Sequence, residues 1–233
     1  MKRSVSRGNA VFGGLLVMAG LVFAQSLRAA TRGPVSIPAP ARDELVANAK
    51  TETAVFAGGC FWGIQAVFQH VKGVVSATSG YAGGTMDRPS YEDVGSGSTG
   101  HAESVRVVFD PSQVTYGQLL RVFFSVAHDP TELNRQGPDV GTQYRSALFY
   151  TNDEQKKTAE AYIEQLSKSH AYSKPIVTQV APLKAFYIAE AYHQNYAALH
   201  PDDLYIRIND APKVVNLKKE FPAMYTEKLA AHE

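Results

Sequence analysis

The chain has 233 residues, 45% of them hydrophobic and 19% charged, an ordinary globular composition with length for at most two average domains and enough apolar material for one sizeable core. Lys and Arg number 23 against 22 Asp and Glu, a net charge of +1, so nothing in the balance marks a nucleic-acid partner. One cysteine excludes an intramolecular disulfide and any multi-thiolate zinc or iron–sulfur site.

Lys2, Arg3 and Arg7 precede an almost wholly apolar run over 11–24 that turns polar at Gln25 and Ser26. A basic segment followed by roughly 14 apolar residues, about 21 Å as a helix against a roughly 30 Å hydrocarbon core, reads as an export signal rather than a spanning helix. Residues 1–30 are therefore expected to be a signal peptide cut near 24 or 30, which places the mature protein in the periplasm. A retained anchor facing the periplasm is the alternative. Residues 31–50, with Pro34, Pro38 and Pro40 and no sustained period, read as a linker, 51–225 as the one domain, and 226–233 as a tail.

Within the domain, 53–57 alternates as a strand and Gly58-Gly59 breaks it. Phe61, Ile64, Val67, Phe68 and Val71 fall at helical spacing until Gly73. A strand is predicted over 74–78, a Gly-, Ser- and Thr-rich loop over 79–100, and a strand over 104–109. A helix over 116–127, a strand over 144–150, an amphipathic helix over 153–169, a strand over 176–180 and a helix-prone stretch over 188–199 follow. Strands alternating with helices in one array give an α+β or mixed α/β sandwich.

Cys60 stands where the first strand turns into the first helix, in Gly58-Gly59-Cys60-Phe61-Trp62-Gly63. A free thiol with a pKa near 8.5 is only about 3% thiolate at pH 7, and a helix N-terminus lowers that pKa, so the position suggests a nucleophile. The glycines read as clearing its approach from solvent. The bland alternative is a small buried core residue. Glu103 opens an apolar strand after Gly100-His101-Ala102; near aromatic rings its carboxyl would be held protonated and act as a general acid, and otherwise it is a solvated charge at a strand end. The string 137–146, Gly-Pro-Asp-Val-Gly-Thr-Gln-Tyr-Arg-Ser, reads plainly as a structural turn, with Arg145 or Asp139 tying down backbone.

Taken together, Gly59-Cys60-Phe61-Trp62-Gly63, Gly100-His101-Ala102-Glu103 and residues 136–146 strongly resemble the peptide methionine sulfoxide reductases of the A class. Tyr81-Ala82-Gly83-Gly84 and Ala189-Glu190-Ala191-Tyr192-His193-Gln194-Asn195-Tyr196 extend the match, in order, from about 53 to 205. The resemblance implies a single-domain α+β fold, a two-layer ferredoxin-like sandwich core with a mixed sheet. It also implies reduction of the S epimer of methionine sulfoxide, free or in oxidised proteins and peptides, through a sulfenic acid at Cys60. Glu103 matches the family's acid, Tyr91 and Tyr144 its hydroxyl donors, and Asp139 a carboxylate that orients the site. Phe61 and Trp62, with Tyr205, match the apolar cage for the substrate methyl. No metal and no bound cofactor are implied.

The further cysteines that many family members carry, where Gly95 stands here or in a C-terminal tail, are absent. An external thiol, a thioredoxin-like protein or a small thiol, is therefore the expected reductant. The mature protein is expected to be a monomer without stable membrane association. The rival readings are a thiol hydrolase with His101 or His193 as base, a one-cysteine peroxidase, and a non-enzymatic periplasmic binding protein that uses the Phe61/Trp62 pocket.

Overall fold

The computed structural model describes residues 33–43 and 50–232; the expected signal peptide and its cut lie outside the described residues. The first strand, β1 (Glu52–Gly58), alternates its side chains between two faces: Ala54 and Phe56 enter one apolar cluster, Val55 and Ala57 another. Helix α1 (Phe61–Gln69) follows, then β2 (Val74–Ala82), the short helix α2 (Tyr91–Gly95), β3 (Ala102–Phe109) and α3 (Tyr116–Val122), which continues into one π-helical turn, Phe123–Ala127. After the small hairpin β4 (Arg135–Gln136) and β5 (Asp139–Val140) come β6 (Ser146–Tyr150) and α4 (Asp153–Lys168). Then follow β7 (Gln179–Pro182), β8 (Phe186–Ile188), α5 (Tyr196–Leu199), a π-helical turn at Ile206–Asp210, and α6 (Ala211–Glu220).

The main sheet runs β7-β6-β1-β3-β2-β8. Its neighbours pair antiparallel except for β6 and β7, which are parallel. The central β6-β1-β3-β2, threaded as β-α-β-β-α-β, is the expected ferredoxin-like arrangement in a mixed sheet. Ile64, Val67 and Phe68 of α1 and Leu119 and Leu120 of α3 pack with Phe56, Val105, Val107 and Leu148. The smaller cluster around Val55, Ala82 and Phe149, flanked by Leu183 and Phe186, lines the opposite face.

Several expectations need correction. The loop over 79–100 is shorter, because β2 runs on to Ala82 and α2 occupies its middle, started by a Ser90–Asp93 capping box. The strand expected over 144–150 begins only at Ser146, since Thr142–Tyr144 forms a 3-10 turn. The pairing expected over 176–180 falls at Gln179–Pro182.

The helix-prone stretch over 188–199 is not one helix. Ile188 ends β8, Ala191–His193 is a 3-10 turn, and Asn195 is left-handed at φ 56° before α5 starts. Gln194 explains the break. Its amide accepts from Ser79 N–H at 3.0 Å and donates to Ser79 O at 2.9 Å and Ala189 O at 3.0 Å, which pins the segment to β2.

Residues 33–43 are not a linker. Ile37 is 3% exposed in the core, Tyr162 donates to Pro38 O at 2.7 Å, and Gly117 N–H donates to Asp43 at 3.0 Å. Nor is 226–232 a loose tail. Ala230 N–H bonds Gln69 O at 2.9 Å, and Ala231 bridges Val75 and Ala77 at 3.1 and 2.9 Å.

Candidate active site

Strand β1 delivers the chain to Gly59, whose φ of 98° suits glycine, and a Cβ there would fall 2.5 Å from the Gln136 side chain. At Gly63 a Cβ would fall 2.1 Å from Asp210 Oδ1. These glycines make room for neighbouring side chains rather than for solvent, and Cys60 is only 8% exposed. Cys60 is the N-cap of α1.

Glu103 arrives from the start of β3, 3% exposed, and its carboxylate accepts the Phe61 N–H at 3.0 Å. Burial pushes its pKa up to about 8; the Phe61 N–H opposes that, while Asp139 and Asp210 add to it. The expected solvated alternative is thereby removed. Cys60 behaves differently from the expectation of a depressed thiol. Burial, then the Glu103 and Asp210 charges, hold its pKa well above the usual value, against the Trp62 backbone N–H and Lys213. The helix terminus acts in the expected direction but is outweighed by desolvation.

Two phenols face this pair. Tyr91 begins α2, where the Glu190 carboxylate accepts its N–H at 2.9 Å and the Tyr81 hydroxyl at 2.8 Å. Tyr144 ends the 3-10 turn. Burial pushes Tyr91 up to about 12 and raises Tyr144 as well, and both feel the charges of Glu103 and Cys60. Asp139, from β5, accepts a short hydrogen bond from the Tyr205 hydroxyl. Burial raises the Asp139 pKa, and the Tyr205 bond and Lys213 offset part of that.

The aromatic wall is layered. Phe61, 1% exposed, lies behind, with its ring 5.0 Å from that of His193. Trp62 is only partly buried; it stacks on Tyr196 at 3.7 Å and 8°, and meets Tyr205 edge-on at 6.0 Å and 85°. Its indole N–H donates to His193 Nδ1 at 3.2 Å, and burial lowers the His193 pKa. His101 is also committed: Nδ1 accepts from Gly84 N–H at 3.1 Å and Nε2 lies 2.8 Å from Met86 O. Arg145 does tie down backbone, donating to Thr142 O and Gly100 O at 2.8 and 3.0 Å.

All eight sequence-derived site residues thus gather around the start of α1. The parts played by Tyr196, Glu190 and His193 toward Trp62 and Tyr91 were missed; the string 189–196 was their signal. Asp210 and Lys213 were missed as well.

A model of the peptide methionine sulfoxide reductase family matches residues 52–225. The chain belongs to that family. Peptide methionine sulfoxide reductase MsrA 2 of Mesorhizobium japonicum is 62% identical over 178 residues, 76% of this chain and 91% of that protein. Its namesake in Synechocystis sp. is 51% identical over 181 residues, 78% and 83% of the two chains. Among solved structures, reduced Mxr1 from Saccharomyces cerevisiae is similar at 34% identity and a TM-score of 0.61, covering 71% of this chain and 98% of that one. Methionine sulfoxide reductase A of Corynebacterium diphtheriae is similar at 34% and 0.57, covering 73% and 88%. The reductase is an enzyme that reduces methionine sulfoxide in a thiol-dependent reaction. The hydrolase, peroxidase and binding-protein readings are not favoured.

Proposed function

We propose that the reductase acts on the S epimer of methionine sulfoxide, free or in oxidised proteins, with Cys60 as nucleophile and Glu103 as proton donor. The observation that carries this is the buried Glu103 carboxyl, hydrogen-bonded to the residue after Cys60 and held protonated to about pH 8. In the reaction Cys60 sulfur attacks the sulfoxide sulfur while Glu103 protonates the oxygen and takes up the proton the Cys60 thiol gives up. The sulfur–oxygen bond of the substrate breaks and a new one forms at Sγ: thiol and sulfoxide become sulfenic acid and thioether. Tyr91 and Tyr144 donate to the developing hydroxyl. Asp139, through Tyr205, steadies the Trp62 edge, and Trp62 over Phe61 holds the apolar methyl.

With one cysteine in the sequence, the sulfenic acid is recycled by an external thiol, a thioredoxin-like protein or a small thiol, and no intramolecular disulfide intervenes. The enzyme works as a periplasmic monomer after removal of an N-terminal signal peptide, cut near 24 or 30. Assay of the purified protein with dithiothreitol and resolved sulfoxide epimers tests the chemistry. Methionine is expected from the S epimer only, with a dimedone-reactive Cys60 after one turnover without reductant; product from a Cys60→Ser variant would defeat the mechanism. Cell fractionation with N-terminal sequencing tests the location, and light scattering the monomer.

A further inference from the structure

The surroundings of Cys60 are acidic: Glu103 and Asp210 both bear on the thiol, and Asp139 bears on Glu103. Asp210 ends the π-helical turn before α6 and is 0% exposed. Its Oδ1 takes the Lys213 ammonium at 3.0 Å, while its Oδ2 has no hydrogen-bond partner among the described residues. Burial raises the Asp210 pKa, and the Lys213 charge and hydrogen bond pull it back down, favouring the carboxylate.

The pair is seated against the first turn of α1. A Cβ on Gly63, three residues after Cys60 and on the same helix face, would fall 2.1 Å from Asp210 Oδ1 and 2.7 Å from Lys213 Nζ. The absence of a side chain at Gly63 lets the ammonium lie on the helix beside the nucleophile. The Lys213 side chain keeps 17% of its surface, and its charge is felt at the Cys60 thiol, whose pKa it lowers against the surrounding carboxyls.

We propose that Lys213, held in place by Asp210, determines which reductants the enzyme accepts, by drawing thiolates, and above all thiolates that carry a second negative charge, onto the Cys60 sulfenic acid. This rests on the reading that an external thiol closes the cycle. The attacking species is a thiolate; with Glu103 protonated, the buried Asp210 carboxylate is the charge that bears on Cys60, and it repels a thiolate unless a cation offsets it. The thiolate forms a sulfur–sulfur bond to Sγ as the sulfur–oxygen bond breaks; the departing hydroxide takes the Glu103 proton and leaves as water. A second thiolate attacks the mixed disulfide, forming the oxidised reductant and releasing Cys60 thiolate. Two thiols are oxidised and one sulfenic acid is reduced.

The test uses the full enzyme, converted to the sulfenic acid by methionine sulfoxide and mixed at low ionic strength with 3-mercaptopropionate, 2-mercaptoethanol or cysteamine at equal thiolate concentration. In Lys213→Met the rate constant for 3-mercaptopropionate is expected to fall about tenfold relative to that for cysteamine, with mercaptoethanol between them. Lys213→Arg should keep the wild-type ratio. The double variant Asp210→Asn/Lys213→Met leaves no unpaired buried carboxylate and should lose the ratio as the single variant does; a general structural defect would slow all three thiols alike. A ratio unchanged within twofold in both neutral variants overturns the proposal. Failure of every thiol to reduce wild type overturns the external-thiol reading, and this proposal with it.

Discussion

The backbone N–H of Phe61 donates a 3.0 Å hydrogen bond to the Glu103 carboxylate, fixing an acid from β3 against the first turn of the helix that Cys60 caps. The bond spans 42 residues of sequence and makes the spacing of nucleophile and acid a property of the sheet, in which β1 and β3 are direct neighbours.

The pH dependence of the chemical step follows from that acid. Glu103 donates only while protonated, and burial holds its pKa up to about 8. The single-turnover rate of methionine formation should therefore hold through neutral pH and lose its Glu103-dependent part as pH rises through about 8. In Glu103→Gln the rate should drop at least roughly tenfold, and that alkaline loss should vanish; stopped-flow measurement from pH 6 to 10 reads both. A variant with an unaltered rate would remove Glu103 from the mechanism.

The same group makes stability fall with pH. Its folded pKa lies above the roughly 4.3 of an unfolded glutamate, so the native state holds the proton more tightly. The contribution is complete below the unfolded value and is lost as pH rises toward about 8, on the order of a few kcal/mol. Glutamine keeps an acceptor for Phe61 without this loss. Thermal denaturation should show the Tm of Glu103→Gln gaining on wild type between pH 5 and pH 8; a constant difference would mean the carboxyl is not held neutral.

Ile37 tests the packing of residues 33–43. Its side chain is 3% exposed in the main core, and Ile37→Ala should cost about 2–5 kcal/mol in urea unfolding of the purified enzyme. A residue in a free linker would cost nothing measurable.

Tyr205→Phe removes the hydroxyl that Asp139 accepts and keeps the ring that Trp62 meets edge-on. Loss of one partner of a partly buried charged hydrogen bond costs about 1–3 kcal/mol. If the bond steadies the cage, kcat/KM for methionine sulfoxide should fall about 5- to 100-fold, while the rate of sulfenic acid reduction by cysteamine changes little. Equal losses in both half-reactions would place the bond in general stability instead.

The start of α1 was legible in the sequence because its signals are local. Alternation over 53–57 and helical spacing from Phe61 need only neighbouring residues, and the strings around Cys60, Glu103 and Tyr144 carried the site through their resemblance to a family. The segment 188–199 was misread for the opposite reason: Gln194 takes its partners from Ser79 and Ala189, and helical composition has no way to register a bond across 115 residues.

By itself the sequence determined the order of the central strands and helices, the single thiol and, through its resemblance to a family, the expected site residues around that thiol, since periodicity and side-chain chemistry travel with the chain. Only the tertiary structure decided that Glu103 is buried to a pKa of about 8, that the Cys60 thiol is raised rather than lowered, and that the Asp210–Lys213 pair rests on Gly63. Desolvation and charge proximity depend on which atoms exclude water from a site, and those atoms come from β3, the 139–144 turn and the π-helical turn before α6, segments far apart until the chain folds.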